Sequence, residues 1–496
     1  MKYSAINIGP IIQTLSLARR PRELWAASYL FSYLMECIIN QLPEQCEIIA
    51  PVKGNENNMY VGLYPDRLYF SHKGEVSLTD ICEKTWDKFC EELFNGASDE
   101  FKDYFNMMHI SLDLKTDKYP IAIAKLNSCL DILELCAVAH NPRGSINVTE
   151  NIYSFISKRK DSPLVRVSQD SDRMPMETLA EVAACQLQVL GEDKWKEFEK
   201  NNRDESFVGD SYSLYKSYEE YKSYHRYFCV VQADGDNMGK TVTSDIISND
   251  ELRSISEMLW NYGIEASELI NKFGGKAIYA GGDDLLFLAP VVGKDGRNIF
   301  GLLDSVAQIF DSVINNLPET IRGNELKTPS LSFGVSICYY KYPLYEALES
   351  ARNLLFNVAK KGTVKNKIAW SLVKHSGEVF NACYSKFNEN LHNTFKEILT
   401  YKVDGDIVSI AAHKLKMNWA LLEKCLGADK GNKKHYRLDS FFATILGAQR
   451  DDNYLNSVKK LIIELDSASD IKDLSSVLYA MMRTAKFING EDTKDE

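Results

Sequence analysis

The turn Gly281-Gly282-Asp283-Asp284, set between the β-prone runs Ala277 to Ala280 and Leu285 to Leu288, limits what this chain can become more than any other stretch. Strand, tight turn and strand is the pattern of a β-hairpin, and its tip must present two adjacent carboxylates. At an effective dielectric near 20, two unit charges about 4 Å apart repel by roughly 4 kcal/mol, so a pair partly shielded from water asks for a cation. Magnesium or manganese (Mg2+ or Mn2+) suits it, taking a few carboxylate oxygens and completing its shell with substrate phosphates. Gly281 and Gly282 leave room for a nucleotide to approach. An ordinary acidic β-turn would read the same way, and the hairpin alone leaves both readings open.

A second acidic element stands upstream. The β-branched and aromatic run Tyr227 to Val231 leads into Asp234-Gly235-Asp236-Asn237, and a helical pattern starts near Met238. A carboxylate at the end of a buried strand and an acidic pair on a neighbouring hairpin converge on one point. Two cations about 3.5–4 Å apart could there clamp the attacking and leaving oxygens of a phosphoryl or nucleotidyl transfer. Asp236 capping the helix, with a turn at Gly235, is the other reading, and it is compatible with catalysis.

At 496 residues the chain has room for three to four units of ordinary domain size. Its net charge of −11 argues against a protein that wraps bare nucleic acid over its whole surface, so contact with RNA or DNA should be local or made through basic partners. The 11 cysteines include no CxxC pair; reduced thiols in a cytoplasmic protein are the simplest account. The apolar patch Trp25 to Met35 falls short of the roughly 18 residues a membrane span needs, and no signal peptide is read.

In chain order, a strand at 3–8 and a long helix through Arg19, Arg20, Arg22 and Trp25 precede strands at 46–51 and 59–70 and a helix at 81–94. This is the start of a ferredoxin-like βαββαβ unit that lacks the acidic hairpin. Residues 98–223 read as mixed helices and charged loops, including a sequon at Asn147. From Tyr224 the pattern repeats: strand 226–233, helix 238–273, the hairpin, helix 296–316, strand 329–338 with Gly334 marking a close backbone approach, and helix 344–360. Leu344, Leu348, Ala351, Leu355 and Val358 give that last helix a buried stripe, and Lys360 and Lys361 end it, where lysines complement the helix dipole. After a strand-like run at 368–373, residues 380–496 read as mostly helical. The lysines at 414, 416, 430, 433 and 434 read as a solvated face. The fold class is α+β: two ferredoxin-like palm domains, a helical insert and a C-terminal helical domain. The expected domains are 1–97, 98–223, 224–375 and 376–496.

Seven stretches together resemble the large polymerase-cyclase subunit of type III CRISPR effector complexes, particularly the Cmr branch: NIGPIIQTLSLARRPRELWAASYLFSYL near the start, VGLYPDRLYF, RMPMETLAEVA at 173–183, ADGDNMG at 233–239, AGGDDLLF at 280–287, SLSFGVSI at 330–337 and VAKKGTVKNKIAW at 358–370. The resemblance implies an RNA-guided, cytoplasmic antiviral-defence subunit that binds crRNA and target RNA through its complex. A small helical subunit would dock on the C-terminal helical domain. On target binding it would turn ATP into a cyclic oligoadenylate or, as in some relatives, join ATP to S-adenosylmethionine. Asp234 and Asp283 would be metal ligands with the Gly235 carbonyl, and Asp284 a ligand or the group assisting deprotonation of the attacking hydroxyl. Asp236, Asn237, Gly281, Gly282 and Lys360 would attend the nucleotide, Lys360 by reaching its triphosphate. Relatives often begin with an HD nuclease domain and carry a cysteine-ligated zinc module between the palms. The chain has no His-Asp dipeptide, and 140–225 holds only Cys185, so neither DNA cleavage nor zinc is expected. A stand-alone cyclic dinucleotide synthase and a non-catalytic nucleotide-binding scaffold are the alternatives.

Overall fold

The computed structural model describes residues 1–54, 61–94, 104–136, 177–203, 209–317, 329–427, 432–446, 452–468 and 470–490. The fold is mixed α and β, with two sheets among these residues.

The first sheet is built from β1 (Lys2–Gly9), β2 (Cys46–Ala50), β3 (Arg67–His72) and β4 (Asn106–Asp113), in the order β2-β3-β1-β4. All its pairings are antiparallel. Between β1 and β2 run α1 (Ile11–Ser16) and α2 (Pro21–Gln41); α3 (Leu78–Phe94) joins β3 to β4, and α4 (Tyr119–Cys136) follows. The long helix expected after β1 is divided because Pro21 has no N–H to donate and fits the first turn of a new helix. Residues 61–66 are not strand, and β4 lies within the stretch expected to be helical and linking.

The second sheet has the order β10-β9-β8-β5-β7-β6, with strands β5 (Tyr227–Asp236), β6 (Lys276–Gly281), β7 (Asp284–Pro290), β8 (Ser330–Tyr339), β9 (Lys367–Val373) and β10 (Val379–Ser385). Only β8 and β9 pair in parallel. Strand alternation divides the side chains of β5. Cys229, Val231 and Ala233 pack into the core beneath α8 (Asn249–Phe273) and α9 (Ile299–Asn315), while Phe228 and Val230 pack into the core that includes α2. Two shorter helices, α5 (Leu179–Ala183) and α6 (Glu192–Arg203), precede the strand, and α7 (Met238–Val242) follows it. The expected helix 238–273 is therefore two, because Ser248 starts the second with a capping box to Glu251. The apolar patch of α2 is explained by burial between the sheets: its Ser28 Oγ donates to the Ile278 carbonyl of β6 at 2.9 Å.

α10 (Leu344–Asn353) passes into a π turn, Leu354–Ala359. The wider turn rotates the buried stripe by about one residue, so Ala359 is buried while Val358, expected in the stripe, is 37% exposed. Strand β10 falls where a helical domain was expected, and the anticipated boundary at 375/376 lies in the β9–β10 hairpin turn. Helices α11 (Glu389–Thr400), α12 (Gly405–Met417), α13 (Trp419–Gly427), α14 (Asn432–Leu446), α15 (Asp452–Ser467) and α16 (Leu474–Ile488) complete the chain. Trp370 Nε1 donates to Thr484 Oγ1 at 3.1 Å, tying α16 to the sheet. Lys414 donates to the Ile445 carbonyl at 3.0 Å and so serves helix packing, whereas Lys416 lies over the Tyr479 ring but stays exposed, as a solvated face requires. Lys430, the Asn147 sequon and the start of the 173–183 stretch lie outside the described residues, as does about half of 140–225, where no zinc module is expected. Among the described residues no helix is long and apolar enough to cross a membrane.

Candidate active site

The expected hairpin forms, with Gly281 paired to Asp284 across a two-residue turn. Gly282, at its first central position, has a left-handed φ of 67°, which a side chain would strain. β7 lies beside β5, so the turn is carried to the end of that strand. A methyl group on Gly235 would stand 2.5 Å from Asp283 Oδ2, a contact that requires glycine there and brings Asp283 against the Asp234-Gly235 backbone.

The three aspartates share one electrostatic field. Asp283, partly buried, has its carboxyl pushed up to about 7 by burial and then by the charge of Asp234, although the Gly235 N–H donates to it. Asp234 is raised by burial against the pull of Lys360. Asp284 reaches the cleft surface, yet the protein enclosing it and the charges of Asp234 and Asp283 still hold its pKa above the usual range.

Lys360 Nζ pairs with Asp234 Oδ1 and donates to the Gly235 carbonyl at 2.9 Å. Its ammonium thus rests on two of the oxygens assigned to a metal ion. Among the described residues no group of three or more His, Cys, Asp or Glu is gathered as a metal cluster. The donor set still fits magnesium or manganese, which need only one or two carboxylates beside phosphate oxygens and water. A positive group already lodged on these oxygens supports that fit.

The raised Asp283 makes a prediction. Unfolded, this carboxyl ionises near 3.8; folded, near 7. Between those values the native state keeps a proton that the unfolded chain has released, so stability falls as pH rises across the window. In melting curves without divalent ions, Tm should be lower at about pH 8 than at about pH 5, and added Mg2+ should raise Tm more at the higher pH. A Mg2+ effect independent of pH would contradict the assignment.

Of the remaining expected residues, Asn237 starts α7 with φ 63° and makes no side-chain cap. Asp236 is 1% exposed and points away from the acids into a serine pair. Neither a nucleotide contact nor a helix cap describes that geometry.

A cavity of about 260 Å³ opens beside the hairpin, lined by Gly282, Asp283 and Asp284 on one side and by Asp66 and Arg67 of the first sheet's side. Asp66 also lines an adjoining groove of about 490 Å³ with Asn7, Glu134 and Arg352. Sequence reasoning did not single out Asn7 or Asp66, although they lie in two of the resemblance-bearing stretches, NIGP and YPDR.

Two family models match the chain: the N-terminal domain of CRISPR-associated protein Cmr2 over residues 3–93, and the second palm domain of Cas10/Cmr2 over residues 227–369. The Cmr2 subunit of the Pyrococcus furiosus CRISPR Cmr system is 29% identical over 180 residues, covering 31% of this chain and 19% of that protein. Among solved structures, a type III-B Cmr-beta complex in the apo state holds a similar chain, with a TM-score of 0.62, 12% identity, and coverage of 99% of this chain and 82% of the other. A Csm1-Csm4 cassette in complex with pppApA gives 0.52 at 12% identity, covering 98% and 69%; the same cassette is known with one ATP. The second palm match spans Asp234, Gly235, Asp283, Asp284 and Lys360. The two matches fall in succession, so the chain carries a Cmr2 N-terminal domain over residues 3–93 and a Cas10/Cmr2 second palm domain over residues 227–369.

Proposed function

We propose that this chain is the large subunit of a type III CRISPR effector complex and that, once target RNA is bound, it uses metal-bound ATP to make a nucleotide second messenger. The observation that carries this reading is the convergence of Asp234, Asp283 and Asp284, with Lys360 paired to Asp234, beside a cavity that Asp283 and Asp284 line. The antiparallel order of the first sheet, repeated in β8-β5-β7-β6, supports reading both as ferredoxin-like palms, the second of them catalytic. The ATP and pppApA complexes of the Csm1-Csm4 cassette support nucleotide chemistry of this class.

Asp234 and Asp283, with the Gly235 carbonyl, would hold Mg2+ or Mn2+, whose charge would stabilise the triphosphate and make the attacking hydroxyl more acidic. Asp284 is exposed to the cleft with a raised pKa, which suits it to accept the hydroxyl proton. The hydroxyl oxygen attacks the α-phosphorus of ATP, the bond to the β-phosphate breaks and pyrophosphate leaves. Lys360, which pairs with Asp234 here, would offer its ammonium to the phosphates.

The acceptor is the finer question, and the groove favours S-adenosylmethionine over a second ATP. Asn7 is 3% exposed, and its Oδ1 is buried with no hydrogen-bond partner. Asp66 adds a carboxylate, while Arg67 is held by Asp131 at 2.8 Å and Glu134 at 2.7 Å. The unpaired Asn7 oxygen and the Asp66 carboxylate invite an ammonium or sulfonium, while Arg352 on the same groove can take an anionic group such as a carboxylate. Mass spectrometry of products made by the target-bound complex with ATP, with and without S-adenosylmethionine, tests this. An adenylate conjugate should dominate when both are supplied, and Asp66→Asn should lower it by about tenfold, the scale of one lost charged contact. Oligoadenylates alone, unaffected by Asp66→Asn, would exclude that acceptor. No product under any condition would exclude the enzyme.

A further inference from the structure

Asp236 ends β5 two residues beyond Asp234, yet it serves another purpose. Its Oδ2 accepts from Ser330 Oγ and Ser332 Oγ, each at 2.7 Å, and from the backbone N–H of Asn366 at 3.0 Å. Three donors on one buried carboxylate oxygen make a strong, charge-assisted anchor. Asn366 has a left-handed φ of 58° and belongs to the strap of residues 360–367 that joins the π turn to β9. A non-glycine residue in that region persists only where its surroundings hold it.

Other bonds fix the same strap. The Lys367 N–H donates to Ser332 Oγ at 3.1 Å, the Lys386 N–H to the Asn366 carbonyl at 2.7 Å, and Ser385 Oγ to the Lys365 carbonyl at 2.7 Å. At its far end stands Lys360 on Asp234 and Gly235, with Lys365 Nζ donating to the Lys360 carbonyl. We infer that Asp236 is a positioning residue that, through Asn366, fixes the strap so that Lys360 stands at the catalytic aspartates. Ser385 and Lys386 lead into α11, so the strap also joins the C-terminal helices to the site. The kinetic part of this inference rests on the proposed reaction; the mechanical part does not.

The test uses the full chain in its assembled complex. Asp236→Ala should lower kcat about 10- to 100-fold, the range expected when a catalytic group is displaced by about 1 Å. Mn2+ affinity, read by electron paramagnetic resonance, should stay close to the wild-type value. Asp236→Asn, whose amide oxygen can still accept the Asn366 N–H, should keep most of the activity. In a Lys360→Ala background Asp236→Ala should cost little more, because both act through one group. Limited trypsin digestion adds a readout independent of turnover: the strap lysines should be cut faster in Asp236→Ala than in wild type or Asp236→Asn. Multiplying losses in the double variant, Mn2+ affinity falling as in Asp234→Ala, or unchanged strap cleavage would each overturn the inference. A wild type that makes no product would remove the proposed function and leave the digestion to decide.

Discussion

Asp283→Ala should abolish second-messenger synthesis, by about 10³-fold or more, while leaving the metal-free protein as stable as wild type or more so. A ligand that orients the triphosphate acts mainly in the transition state, and loss of one such electrostatic element costs about 10²–10³ in rate; two substrates placed through the same metal site enlarge the loss. The stability expectation has a different source. Burial and the neighbouring Asp234 charge oppose ionisation of this carboxyl, so its removal relieves repulsion at neutral pH. Product yield by mass spectrometry and Tm without divalent ions check the two halves, and the Mg2+-induced rise in Tm should disappear with the carboxylate. Retained synthesis would end the catalytic assignment, whereas lost synthesis with a collapsed Tm would mark Asp283 as structural.

Gly334→Ala is expected to give the largest loss of stability. Its added Cβ would meet the Ala351 carbonyl oxygen at 2.2 Å, the Leu355 nitrogen at 2.5 Å and Leu355 Cβ at 2.9 Å. Two of these atoms are backbone and cannot rotate away, so α10 and its π turn must move off the sheet. Overpacking of this kind costs about 1–3 kcal/mol and occasionally more, or a Tm lowered by about 2–12 °C for a palm unit of about 150–250 residues melting as one. Because that helix ends at Lys360, synthesis should fall in the folded fraction too. A Tm within about a degree of wild type, with full activity, would mean that the helix yields freely.

The same glycine was legible in the sequence because a lone Gly inside SLSFGVSICYY has little other explanation. The hairpin and β5 were legible for a similar reason: acids and glycines at fixed offsets from apolar runs restrict the backbone to few conformations. Lys360 was placed at the helix end but not on Asp234, since a period of 3.6 carries Val358 inward, and no propensity marks the π turn that substitutes Ala359. β4 was hidden by composition: NMMHISLD mixes residues of weak preference, and none of the eight is fully buried, so it has no apolar alternation to read. β10 was readable in retrospect, with Phe380 and Ala382 buried between the exposed Val379 and Asn381. Asp236 was misread because a carboxylate before a helix ordinarily caps it, and its true partners are about a hundred residues away.

The backbone near Gly62 carries one more implication. The Ala280 N–H donates to the Gly62 carbonyl at 2.8 Å, and a Cβ on Gly62 would stand 2.9 Å from Ser28 Oγ. The last strand before the acidic turn is a sheet edge whose outer side is closed here by the amino-terminal half. A recombinant fragment beginning near residue 224 would therefore leave that edge bare, free to recruit a strand from another molecule. Its failure to turn over would reflect a sticky, misaligned hairpin rather than missing chemistry.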